Sequence, residues 1–129
     1  MVNVRDKPPE KQREIATRII DKYPTRLPVL VYRAEGATEV PLIDKHKFLV
    51  PKDITLGQMM IIIRRRVELR SEQALFLYVD GIIPVASDLM GAVYKRHVDP
   101  KTLFLTLEYA GESVFGHFPR GRLLGPEAL

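Results

Sequence analysis

The chain has no cysteine among its 129 residues, which removes disulfides, thiolate metal sites and cysteine nucleophiles together. A reducing compartment suits that absence, although many secreted domains also dispense with cysteine. Apolar runs such as Met59–Ile63 stop far short of the length needed to span a bilayer. Met1 to Arg26 is charged throughout, so the basic-then-apolar pattern of a signal peptide is missing. Histidines 46, 97 and 117 lie too far apart for metal-ligand spacing. No phosphate-binding glycine loop exists. The stretch Gly111-Glu112-Ser113-Val114-Phe115 lacks the second glycine of a nucleophile elbow. Intrinsic catalysis and bound metal are therefore not expected, and membrane association must come from a covalent anchor, a surface contact or a partner.

What is present is ordinary globular material: 46% hydrophobic and 28% charged residues. The length fits one domain with a real core. The net charge of +4 is uneven, with Met1–Arg26 basic on balance and Arg64-Arg65-Arg66 forming a compact block. Such a balance suits nucleic acid, anionic lipid, acidic peptides or simply a solvated helix face. No nucleic-acid motif and no aromatic interleaving accompany it, so nucleic acid is not expected as a partner.

Pro8-Pro9 suits the first turn of a helix carrying Ile15, Ile19 and Ile20, which Tyr23-Pro24 stops. Leu27–Arg33 and Lys47–Pro51 predict two strands, antiparallel if the segment between them is a hairpin loop. Thr55-Leu56-Gly57-Gln58 has capping-box form and opens a helix with Leu56, Met59, Met60, Ile63 and Val67 on one face. Leu75–Val79 predicts a third strand, turning at Asp80-Gly81 into Ile82-Ile83. Ser87-Asp88 can cap a short helix through Tyr94, and Leu103–Tyr109 alternates as the last strand. This order is that of an α+β, ubiquitin-like β-grasp with an additional N-terminal helix on the other sheet face.

Alternation puts Leu103, Leu105, Leu107 and Tyr109 on the core face, and Phe104 opposite with Thr106 and Glu108. Phe104 is then either covered by the N-terminal helix or part of an apolar surface pocket. Ile61 and Ile62 lie off the helical stripe. The final residues, His117–Leu129, have neither helical nor strand period and read as a disposable tail after Phe115-Gly116.

At this point a resemblance becomes specific. Lys22–Val31, Lys47–Gln58, Ile63–Arg66, Leu69–Phe76, Ile83-Pro84 and Tyr109–Gly116 resemble the autophagy ubiquitin-like modifier family, whose best-known members are GABARAP and the microtubule-associated-protein light chain 3 proteins. It implies three parts: an N-terminal helical extension (1–24), a β-grasp domain (25–116) and a propeptide (117–129). A processing cysteine protease would cut between Gly116 and His117, next to Phe115, contacting Phe76 and Tyr78. Activating and conjugating enzymes would then pass Gly116 to phosphatidylethanolamine, with no other cofactor. The product would be a monomer, cytoplasmic or, when lipidated, on the autophagosome membrane.

The resemblance further implies capture of cargo receptors through extended aromatic-x-x-aliphatic segments. The aromatic pocket would use Ile19, Pro28, Lys47, Leu49 and Phe104. The aliphatic pocket would use Phe48, Val50, Pro51, Ile54, Met59 and Ile62. Arg26 and Arg66 would meet acidic groups. Strand alternation instead turns Phe48 and Val50 toward the core, and the two readings conflict. Three positions depart from the family pattern: a short Met1–Lys7 in place of a further helix, Ile15 at a usually acidic rim, and Met59 for phenylalanine. A non-conjugated β-grasp adaptor for peptides or cytoskeleton is the alternative from another class.

Overall fold

The computed structural model describes residues 3–112. After a short 3-10 helix (Val4–Asp6), the elements are α1 (Pro9–Lys22), β1 (Arg26–Arg33), β2 (Lys47–Pro51), α2 (Leu56–Val67), β3 (Phe76–Tyr78), α3 (Met90–His97) and β4 (Leu105–Ala110). The strands form one mixed sheet in the order β2-β1-β4-β3. β1 pairs antiparallel with β2 and parallel with β4, and β3 pairs antiparallel with β4. This is the β-grasp order expected, with two corrections to the strand list: the third strand is Phe76–Tyr78, shorter by one residue at each end than expected, and the strand after the turn is absent. Ile82-Ile83 forms no strand; Ile82 only closes a turn with Val79 through bonds of 2.9 and 3.0 Å. Asp80 and Gly81 have φ of 53° and 77°, the paired positive values that a type I′ hairpin demands.

Period-2 alternation divides the sheet into two apolar faces. Leu27, Val29, Val31, Phe48, Val50, Leu105, Leu107 and Tyr109 pack against Leu56, Met59, Ile63 and Val67 of α2 and Met90 and Val93 of α3. On the opposite face Leu30, Tyr32 and Phe104 pack against Ala16 and Ile19 of α1. The helix α2 begins with the expected capping box: the Gln58 N–H donates to Thr55 Oγ1 at 3.1 Å, and the Thr55 N–H donates to Gln58 Oε1 at 2.8 Å. Such a cap contributes about 1 kcal/mol.

Two expected boundaries shift, each for a visible reason. The short helix starts at Met90 rather than after Ser87-Asp88, because backbone carbonyls do the capping. The Met90 N–H donates to the Ile54 carbonyl at 2.8 Å and the Gly91 N–H to that of Lys52 at 2.9 Å. Asp88 is spent elsewhere, its carboxylate on Arg96 at 2.6 Å and its carbonyl on Leu56. The last strand starts at Leu105, two residues late, since Leu103 has a φ of 63° and cannot extend the ladder. Its side chain joins the α1-side cluster, not the core face expected for it. The 3-10 helix is an addition, held by Asn3 on the Tyr32 hydroxyl and by Arg5 over the Tyr32 ring at 3.7 Å.

Candidate functional site: a free strand edge between two apolar faces

Among the described residues, β2 is the outermost strand on its side of the sheet. In an antiparallel pair, main-chain groups point alternately to the partner and away from it. The bonds from the Val31 N–H to His46 at 2.9 Å and from the Lys52 N–H to Thr25 at 3.1 Å fix the phase. Residues 46, 48, 50 and 52 therefore face β1, while the main chains of Lys47, Leu49 and Pro51 face outward. Pro28 stands opposite Leu49, where no bond to β2 is required of it. The outward Leu49 carbonyl accepts from Arg26 Nη1 at 3.2 Å.

The residues expected for the aromatic pocket come together on the α1 side of this edge. Ile19 and Phe104 are 8% and 1% exposed in one cluster, and Leu49 and Ile15 pack on its margin. Pro28 faces Leu49 and Lys47 faces Leu30 across the ladder. Phe104 is thus covered by α1, the first of the two alternatives its position left open, and forms a floor rather than a surface.

Most residues expected for the aliphatic pocket lie on the other face, but Pro51 alternates with Leu49 and shares the α1 side of β2. Phe48, Val50 and Met59 are buried in the main core, the side to which alternation turns the first two. Ile54 packs on that core and Pro51 is half-buried. Ile62, 40% exposed, is the most accessible member of the set.

Both cations expected to meet acidic groups already have partners. Arg66 Nε donates to Asp44 Oδ1 at 2.8 Å, and that bond holds the fully exposed Asp44 carboxyl below its ordinary range. A depressed value means the pair persists above the normal carboxylate pKa and opens as pH falls through the lowered one. At neutral pH Asp44 therefore competes with any incoming carboxylate. Asp44→Ala should tighten binding of an acidic-flanked peptide by about two- to threefold, as expected of an exposed ion pair. Titration calorimetry of the two chains checks this, and equal affinities would leave Arg66 without a role in capture.

Sequence reasoning did not reveal a cavity of about 520 Å³ between the end of α1 and α3, lined by Ile20, Pro24, Leu27 and Tyr94 with Arg26, Lys52 and Lys95. Its walls come from segments some seventy positions apart, and no local pattern joins them. Of the expected protease contacts, Phe76 keeps partial exposure, whereas Tyr78 is buried and its hydroxyl reaches the Glu112 carbonyl at 3.4 Å. Phe115, Gly116 and His117 lie outside the described residues.

The mixed four-stranded sheet, with α2 crossing one face, defines a ubiquitin-like protein. The family described as autophagy protein Atg8, ubiquitin-like, matches residues 10–116, and the chain belongs to it. Autophagy-related protein 8 of Mycosarcoma maydis is 45% identical over 107 residues, covering 83% of this chain and 89% of that protein. Autophagy-related protein 8e of Arabidopsis thaliana is 47% identical, covering 83% and 86%. The crystal structure of Trypanosoma brucei ATG8 superposes with a TM-score of 0.78 at 32% identity, covering 83% of this chain and 90% of that one.

Proposed function

We propose that this chain is a non-catalytic modifier of autophagy. It is cut after Gly116, joined through that carboxylate to phosphatidylethanolamine, and used on the autophagosome membrane to recruit cargo receptors. Before lipidation it is a cytoplasmic monomer.

One observation carries the recruiting half: a free strand edge flanked by apolar clusters on opposite sheet faces. A peptide added to β2 sends successive side chains to alternate faces. Residues three apart therefore point to opposite faces, about 10 Å apart along the strand. An aromatic-x-x-aliphatic spacing meets that requirement, whereas a spacing of two or four would put both anchors on one side. Burying two anchors contributes about 1.5–3 kcal/mol each. After the cost of ordering the peptide, affinity should be on the order of micromolar.

The conjugating half rests on family membership and on the family match ending at residue 116, with thirteen residues following. Glycine leaves its carbonyl open to attack inside a narrow channel. The electrophile is this chain's own carboxyl group, and the cysteines that handle it belong to the processing, activating and conjugating enzymes. A two-chain phospholipid anchors stably where one acyl chain would not.

Intact mass spectrometry of the chain recovered from its own cells tests the reading, with Gly116→Ala as the control that stays whole. A soluble species ending at Gly116 and a membrane species heavier by one phospholipid are expected. A chain that keeps residues 117–129 when autophagy is induced would leave a non-conjugated adaptor as the better account.

A further inference from the structure

The loop between β1 and β2 folds back over the end of β4. Arg33 Nη1 donates to the Val40 carbonyl at 2.9 Å, and the Tyr109 hydroxyl donates to the Pro41 carbonyl at 2.7 Å. The Ala34 N–H donates to the Tyr109 carbonyl at 2.8 Å, and the loop's own Ala37, Val40 and Ile43 are buried in the core. Past the strand, Glu39 Oε2 accepts the Gly111 N–H at 2.7 Å, a charge-assisted bond. The fit leaves no space for a side chain at that point. A β carbon on residue 111 would stand 2.6 Å from Val40 Cγ1 and 2.7 Å from Glu39 Cγ. From the core side the Tyr78 hydroxyl reaches the next carbonyl, that of Glu112.

The Glu39–Gly111 bond lies outside the sheet ladder, since β4 ends at Ala110 and Glu39 belongs to no helix or strand. What the bond fixes is the point and direction from which the chain leaves the domain. Gly116 is four residues beyond Glu112, a leash of at most about 14 Å. An enzyme that grips the domain and threads this leash at the same time works on a substrate whose effective concentration depends on where the leash starts and points.

We propose that Glu39 is a positioning residue for C-terminal processing: its carboxylate, closing on the side-chain-free Gly111, aims the segment that carries Gly116 at the processing enzyme. The proposal rests on the processing reading above. Glu39 touches no reacting atom, so its effect falls on productive engagement and not on bond cleavage.

The test uses the full chain and the processing cysteine protease purified from the same cells, with cleavage rates measured against substrate concentration. Losing one charge-assisted bond, Glu39→Ala should raise KM about five- to tenfold and leave kcat within about twofold. Glu39→Gln keeps an acceptor oxygen and should stay within about twofold of the parent. Gly111→Ala, which pushes Val40 and Glu39 away, should reproduce Glu39→Ala. The Gly111 amide resonance should move upfield in Glu39→Ala, while the thermal midpoint falls by no more than about 5 °C and peptide affinity stays unchanged. A parent chain that is cut, beside a Glu39→Ala chain cut with the same KM, overturns the proposal alone. So does a Glu39→Ala chain whose thermal midpoint and peptide binding collapse, because the role is then structural. A parent chain that the protease leaves whole overturns the processing reading and the proposal with it.

Discussion

Replacing Phe104 with alanine should lower the unfolding free energy by about 3–5 kcal/mol, the range for removing a buried phenylalanine. The side chain is 1% exposed and shares its cluster with only Ala16, Ile19, Leu30 and Tyr32 among buried residues. That cluster is what docks α1, so the cavity cannot be relieved by repacking against a deep core. The core packed by α2 and α3 on the opposite face is a separate cluster and should keep its packing. Denaturant unfolding would show the loss, and hydrogen exchange would localise it to amides of Pro9–Lys22. Affinity for an aromatic-x-x-aliphatic peptide should fall more than about tenfold, since the floor under the aromatic anchor goes with the ring. A loss below about 1 kcal/mol would show that α1 collapses onto the space, and that Phe104 is neither brace nor floor.

The face that Phe104 occupies was legible from the alternation of Leu105, Leu107 and Tyr109 alone. So was the start of α2, because Thr55 and Gln58 satisfy each other within four residues. Local rules failed where a distant segment supplied the bonding group. Ser87 and Asp88 look like a helix cap, yet the carbonyls of Lys52 and Ile54 cap α3 across the fold. Leu103 fits a strand pattern, but its loop is closed by the Leu103 N–H on Asp99 at 2.7 Å and the Tyr94 hydroxyl on the Leu103 carbonyl at 2.7 Å. Those bonds stabilise a left-handed φ that leucine seldom adopts.

The site divides in the same way. That Lys47–Pro51 is a strand could be read from residue types; that it is an edge strand could not, since β4 takes the far side of β1 only once the sheet is assembled. The pairing of Glu39 with Gly111 spans seventy-two positions and leaves no trace in any short pattern. The ion pair of Arg66 with Asp44 is equally silent in sequence, though it sets how free that arginine is to meet a ligand.

Lys47→Pro should abolish peptide capture, lowering affinity at least about thirtyfold, or roughly 2 kcal/mol. The Lys47 N–H is one of the outward donors of β2, and Lys47 is the first residue of the strand. Proline is tolerated at such a position because no ladder bond to β1 is lost. It both removes the donor and places its ring where the carbonyl of an added strand would sit. The effect should therefore exceed the roughly 0.5–1.5 kcal/mol of a single hydrogen bond. Lys47→Ala is the necessary companion, since it removes the exposed ammonium and stem but keeps the N–H. It should cost about threefold or less, as a rim charge does. Unfolding free energies of both chains should stay within about 1 kcal/mol of the parent, because the side chain is exposed and the β1 ladder is untouched. If the two substitutions weaken binding equally, recognition is by side chains alone and the added-strand geometry is wrong. If only proline does so, the main chain of β2 is the recognition element, and sequence tolerance among its ligands follows from that.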